Sequence, residues 1–340
     1  MIAHGGRSAT GDRVRMPALP VVPQIEVLDL RHFSSRQLRP LLELEAELWR
    51  TRLHWDYRSS TELLLQYLES RILQGFVALD RGRVCGYTFC VYEGTKAVIG
   101  DAFASTASRA PDSATTRLLL THVIEMLRNS PAVDRVESQL LLFDAGEFVD
   151  LFRGPEFTVY PRLFLELNLG KVSSNAAVPP ELDLSPWAAQ DYQSAAELIH
   201  ACYQGHTDAR INDQYRSLHG SLRFLHNIVR FPGCGVFEPS YSWILRDRVS
   251  RAMLGMVLVS RVGDRVGHIT QICISPAQRN RGLGKLLLTR CASALRTAGF
   301  EAVTLTVTES NADAVRLYDR FGFTAIHRFD AMVLETRHRR

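Results

Sequence analysis

The chain has 340 residues, of which 46% are hydrophobic and 22% charged, with a formal net charge of +4. These figures describe a folded chain of one or two domains and exclude collagen-like and disordered classes. No apolar run approaches the roughly 18 residues of a membrane helix, and the first 24 residues lack the uninterrupted apolar stretch of a secretory signal, so a cytoplasmic protein with no membrane partner is expected.

The positive excess is small and sits in scattered arginines before residue 16 and in the tail Arg337-His338-Arg339-Arg340. Such terminal charge does not build a nucleic-acid groove. The cysteines at 85, 90, 202, 234, 273 and 291 form no C-x-x-C pair and no zinc-type cluster. They read as reduced, mostly buried thiols, with no metal site.

In chain order, residues 1–24 carry Gly and Pro among polar residues without periodicity and are expected to be mobile. Order is expected from Ile25. A second punctuated stretch, 171–180, ends in Pro179-Pro180 and reads as a linker, placing domains at 25–170 and 181–336.

The two halves echo one another. Leu151-Phe152, Phe157-Thr158 and Arg162 recur as Leu317-Tyr318, Phe323-Thr324 and Arg328 at an offset of 166, Tyr57 recurs as Tyr215 at 158, and Ile99 to Ser105 recur as Ile269 to Ser275 at 170. Three echoes in one order predict an internal duplication, with helix, strands, helix, strand, helix, strand in each half.

In the second half, 191–203 and about 213–230 read as helices, and 241–245, 252–262 and 266–274 as strands, with Gly263-Asp264 as hairpin turn. Leu287, Cys291, Ala294, Leu295 and Ala298 share one helical face before Gly299. A strand at 303–307 and a helix from Ala312 to Phe321, closed by Gly322, follow. The class is α/β.

The chemistry-bearing stretch runs from His268 to Lys285: a buried-type strand, a proline stop, and a basic glycine turn that opens a helix. Unpaired amides and the positive end of the helix dipole favour phosphate there, and Arg279, Arg281 and Lys285 add charge. Leu286 excludes a Walker loop and Leu287 a G-x-G-x-x-G dinucleotide loop.

Arg279-x-x-Gly282-x-Gly284 resembles the acyl-CoA pyrophosphate loop of the GCN5-related N-acetyltransferase (GNAT) family. Asn311-x-x-Ala314-x-x-Leu317-Tyr318-x-x-x-Gly322-Phe323 is similar to a second segment of that family, and the likeness covers about residues 180 to 335. It implies two tandem GNAT-like domains, each a mixed, mostly antiparallel sheet flanked by helices, and acetyl-CoA as co-substrate. The strands before the loop and after its helix would splay around the pantetheine, with Ile272, Cys273 and Ile274 against the arm, Asn280, Arg281, Gly282, Leu283, Gly284 and Lys285 around the pyrophosphate, and Asn311 beside the arm. Tyr318 would face the sulfur as acid.

Where relatives carry a glutamate, this chain has Thr270-Gln271 and Thr306, so the base is open among Glu309, Asp208, Asp213, a water on Gln271, or no residue. Tyr203 to Asp213, aromatic and acidic, lies where relatives build the acceptor pocket and suits a cationic amine. In the first half the loop equivalent, Ser105 to Arg117, has no glycine and carries Asp112, while Phe152 stands in place of Tyr318. That half is expected to be a silent copy that shapes the acceptor cleft. The expected function is acetyl-CoA-dependent transfer to a primary amine; the alternatives are a thiol-biosynthesis acyltransferase that resembles mycothiol synthase, also of tandem architecture, and a non-catalytic acyl-CoA-binding regulator.

Overall fold

The computed structural model describes residues 25–152, 154, 156–172, 177–230 and 233–335. Residues 1–24, the whole basic tail 337–340 and the middle of the 171–180 stretch lie outside them. In the first half the elements are β1 (Ile25–Asp29), α1 (Ser35–Leu53), α2 (Arg58–Glu69), β2 (Gln74–Asp80), β3 (Arg83–Glu93), β4 (Lys96–Ala104), α3 (Ser113–Arg128), β5 (Arg135–Gln139) and β6 (Phe157–Asn168). In the second they are β7 (Leu182–Pro186), α4 (Tyr192–Tyr203), α5 (Asp208–Ile211), α6 (Leu218–Arg230), β8 (Val236–Phe237), β9 (Trp243–Asp247), β10 (Met253–Gly263), β11 (Val266–Ile274), α7 (Leu283–Thr297), β12 (Ala302–Thr308), α8 (Ala312–Phe321) and β13 (Thr324–Glu335).

The fold is mixed α/β, with a large, mostly antiparallel sheet flanked by helices. Twelve strands follow one path, β1-β2-β3-β4-β5-β13-β6-β12-β11-β10-β9-β7, with β8 attached to β10. Read inward from either end, the path repeats: β4 and β5 are parallel, as are β11 and β12, while every other pairing is antiparallel. The last strand of each half is exchanged. β13 pairs with β5 of the first half, and β6 pairs with β12 of the second, so the two meet at the centre of one sheet.

Helix faces and strand faces form the cores on either side. Leu287, Leu288, Cys291 and Leu295 of α7 pack with Val257, Val259, Leu305 and Tyr318, and Leu119, Leu120, Val123 and Leu127 are the buried stripe of α3. Burying such a stripe against a sheet is the main contribution of an amphipathic helix to stability. Of the cysteines, Cys90, Cys202, Cys273 and Cys291 are buried, Cys85 is half-buried and Cys234 is exposed.

Two elements differ from the sequence expectation. Among the described residues the first half has no counterpart of α8: between Gly146, at φ +90°, and Gly154, at φ +128°, they show a short 3-10 turn at Val149–Leu151. Phe143, Phe148 and Phe152 are all buried there, an arrangement that one helical face at this spacing does not produce. The helix expected at 213–230 is broken at Ser217, where the extended backbone separates a 3-10 turn from α6.

Candidate active site

β11 carries a bulge at Thr270: its register with β10 runs Leu258↔Gln271 and then Val259↔Ile269. The parallel pairing of β11 with β12 stops at the same point, at Ile269↔Leu305. A bulge bends its strand, and beyond it residues 270–274 and 306–308 diverge. The gap opens into a cavity of about 680 Å³ bounded by both strands, the α7 turn, the start of α8 and the end of α4. Of the candidate catalytic and cofactor-binding residues singled out in the second half from the sequence, all but Arg281, Glu309 and Asp213 line it.

At the α7 end the chain turns through Asn280 at φ +62° and Gly282 at φ +77°. Gly282 is the N-cap residue, and no side chain caps the helix, so its first amides point outward without a side-chain partner. A Cβ on Gly282 would meet nothing within 4 Å; the positive φ, not crowding, favours glycine here. Gly284 is constrained by space, since a Cβ would lie 3.2 Å from Leu317 of α8. Arg279 holds the turn against α4 through a bond from Nη2 to the Cys202 carbonyl at 3.0 Å, and Arg281 turns away to Gln278. An anionic diphosphate fits this turn by the chemistry of its amides and of Lys285.

Tyr318 is buried at 6% exposure, edge-on to Phe323 at 5.6 Å. Burial, reinforced by Cys273 and Asp208, pushes its phenol well above the ordinary range, so it stays protonated at neutral pH. Asn311 accepts from the Ala314 amide at 3.3 Å as the cap of α8, and its Nδ2 meets His206 Nε2 at 3.3 Å. Its place on the cavity wall is therefore fixed from both sides.

Of the candidate bases Glu309, Asp208 and Asp213, Asp208 is the one that lines the cavity. It accepts a hydrogen bond from Thr308 Oγ1 at the end of β12. Glu309 is not brought in: its carboxylate is ion-paired with Arg328 at 2.6 Å. Asp213 is also committed elsewhere, to Lys96 at 2.6 Å. Gln271 is buried, accepts from the Tyr203 hydroxyl at 3.2 Å, and leaves its Nε2 without a partner. Tyr203 in turn stacks on Tyr215 at 4.0 Å.

The first half braces this wall. Lys96, buried at 5% exposure, bridges Glu93, Glu137 and Asp213, and the Asp213 amide donates to Glu137 at 3.0 Å. Arg135 bonds the carbonyl of Arg210 and pairs with Glu335. In the reverse direction the Asp56 amide donates to the Val262 carbonyl at 2.6 Å, and the ring of Trp55 lies 4.9 Å from that of His268. The loop after the first helix of each half thus lies over the other half's strands.

Arg162 was not singled out as a site residue from the sequence. It comes from β6, the exchanged strand, and reaches Thr306 Oγ1 at 3.4 Å and Gln139 Oε1 at 2.5 Å. The only sequence signal at this position is its echo in Arg328, which says nothing of a role in the other half. Burial and the Arg162 charge push the His268 imidazole down to about 3, so that ring is neutral, and its Nδ1 shares a hydrogen bond with Thr304 Oγ1 at 2.8 Å.

This strand order and gap define a tandem GNAT fold. Residues 200–323 match the model of the acetyltransferase (GNAT) family. Two solved structures share the fold across nearly the whole chain. A GCN5-related N-acetyltransferase from Sphaerobacter thermophilus superposes with TM-score 0.66 at 15% identity, covering 93% of this chain and 97% of that one. A tandem GNAT protein from the clavulanic acid biosynthesis pathway gives 0.59 at 14%, covering 92% and 98%.

Closer in sequence over shorter stretches are mycothiol acetyltransferases. The protein from Beutenbergia cavernae is 33% identical over 90 residues, 26% of this chain and 30% of that one. The one from Streptosporangium roseum is 41% identical over 59 residues, 17% and 18% of the two chains. The matched stretch spans less than a third of those relatives.

Proposed function

We propose that this protein is an acyltransferase whose second half, residues 181–336, moves the acetyl group of acetyl-CoA to a primary amine by direct attack, and that residues 25–170 are a non-catalytic copy. The observation that carries the reading is a single cavity joining the gap between β11 and β12, the uncapped start of α7 and the Tyr318 side chain.

Acetyl-CoA, when bound, supplies the activated thioester. The α7 turn with Lys285 holds its diphosphate, and the free edge of residues 272–274 lies along its arm, with the backbone N–H near Ile274 polarising the carbonyl. The amine nitrogen bonds to the acyl carbon as the carbon–sulfur bond breaks. Asp208, held by Thr308, takes the ammonium proton directly or through a water, and the Tyr318 hydroxyl donates to the departing sulfur. Glu309 has no part in this scheme, because Arg328 already holds it.

The first half cannot do the same chemistry in this reading. Asp112 fills its phosphate position, and Phe152, buried among Phe143 and Phe148, offers no proton. A narrower reading, mycothiol acetyltransferase activity, is favoured by the relatives that carry that name. The deciding experiment is release of free CoA thiol from acetyl-CoA with a panel of amines and with the mycothiol precursor. Thiol release that requires an amine supports transfer; acetyl-CoA binding without amine-dependent release sinks it in favour of a binding protein.

A further inference from the structure

We infer that the acceptor carries a carboxylate beside its amine, an amino-acid-like molecule, and that Arg162 recognises the carboxylate. The inference rests on the acetyltransferase reading and specifies its acceptor. β12 presents Thr304, Thr306 and Thr308 on one face, because side chains two apart on a strand point the same way about 7 Å apart. Thr308 holds Asp208, and Thr306 meets Arg162. The Asp208 carboxylate therefore lines the cavity, and the Arg162 guanidinium stands behind the lining residue Thr306, one place along the same strand face, where an acceptor's carboxylate would draw it in.

Arg162 has few partners of its own. Its Nη1 meets the neutral Gln139, its Nη2 makes only the 3.4 Å contact to Thr306, and its Nε is buried without an acceptor. Among the described residues no carboxylate pairs with it, whereas Arg135, also at the interface of the halves, is paired with Glu137 and Glu335. A half-buried guanidinium whose Nε has no acceptor and which has no carboxylate partner is satisfied by an incoming anion, which its planar fork binds in bidentate fashion.

The neighbouring groups agree. Phe329 lies under the guanidinium at 5.9 Å, and the Tyr215 ring is close enough to feel both charges, Asp208 raising its phenol and Arg162 lowering it. Gln271 adds a buried amide donor without a partner. A simple ammonium would be repelled by Arg162; an acceptor that brings its own carboxylate satisfies Arg162 and leaves its amine to Asp208. Strand exchange explains why this cation comes from the otherwise silent half.

The test compares a set of free amino acids with the matching amino acid amides as acceptors, by CoA thiol release, corrected for the fraction of neutral amine. The acids are expected to exceed the amides about tenfold or more in kcat/KM, a factor suited to one charge-assisted bond. Arg162→Gln should bring the two series together through a higher KM for the acids, and Arg162→Lys should restore part of the difference; acetyl-CoA binding by calorimetry reports that each variant is folded. Amides used as well as acids by the unaltered protein overturn the carboxylate assignment and leave the transferase reading standing. No release with any amine overturns both.

Discussion

Asp112 and Gly282 hold the same place in the two halves, 170 positions apart, each the N-cap residue of the helix that follows a parallel strand. Asp112 accepts from the amides of Ala114 and Thr115, both at 3.1 Å, so the first half meets its helix dipole with its own carboxylate. Gly282 leaves the equivalent amides free.

Asp112→Ala is therefore expected to cost about 1 kcal/mol of stability, the usual worth of such a cap. Chemical denaturation should show the loss, while acetyl-CoA turnover is retained. A fall in turnover comparable to that of a cavity variant would contradict the assignment of a purely structural role to this cap.

Gly282→Val places a branched residue at φ +77°, where an L side chain is strained by about 1–3 kcal/mol. Either the turn deforms or the amides move, and acetyl-CoA affinity should fall about tenfold or more by calorimetry. Affinity equal to that of the unaltered protein would remove the α7 turn from the proposed binding site.

Tyr318→Phe removes the hydroxyl and keeps the ring against Phe323. Turnover should fall about 100-fold or more, the usual share of a positioned acid, with acetyl-CoA affinity within about twofold. Because the phenol is held above its ordinary range, the unaltered protein should show no loss of rate from Tyr318 ionisation below about pH 10. Equal turnover in the variant would end the acid role.

Asp208→Asn keeps a partner for the Thr308 hydroxyl and removes the negative charge. The expected result is a fall of about tenfold or more in kcat/KM for the amine, with little change in the affinity for acetyl-CoA. Should Asp208→Asn prove silent and Glu309→Gln harmful, the base would lie at Glu309 after all.

The first half buries a carboxyl pair. Glu45 is fully buried, accepts from the Tyr87 hydroxyl at 2.6 Å, and is pushed well above the carboxylate range by burial and by Asp101; burial lifts Asp101 itself to about 6. Both groups bind protons more tightly folded than unfolded, where carboxyls titrate near about 4. Their contribution to stability is complete below about pH 4 and is lost as pH rises, for Asp101 through about 6. Glu45→Gln should therefore gain in melting temperature relative to the unaltered protein as pH goes from about 4.5 to about 8. A difference that does not move with pH, or moves the other way, would refute the pairing.

Local signals made much of the second half legible. Strand 266–274 and helix 312–321 read from alternation, from the Asn311 cap and from Gly322 coincide with β11 and α8. The gap between β11 and β12 was expected only through the family resemblance, since the bulge at Thr270 leaves no mark in the residue pattern. The base was illegible for a different reason. Glu309, Asp208 and Asp213 are equal as acids in a sequence; only their partners Arg328, Thr308 and Lys96 separate them.

By itself the sequence determined the duplication, the α/β class and the acidic cap that replaces a glycine turn before α3, because each depends on residue type and on spacing along the chain. Only the tertiary structure decided which half contributes which wall. β6 and β13 change places, and Arg162 arrives beside Thr306 from a strand 144 residues earlier in the chain. Strand alternation fixes which face a residue takes, but pairing between distant strands is chosen by the packing of the whole sheet, and no local pattern encodes it.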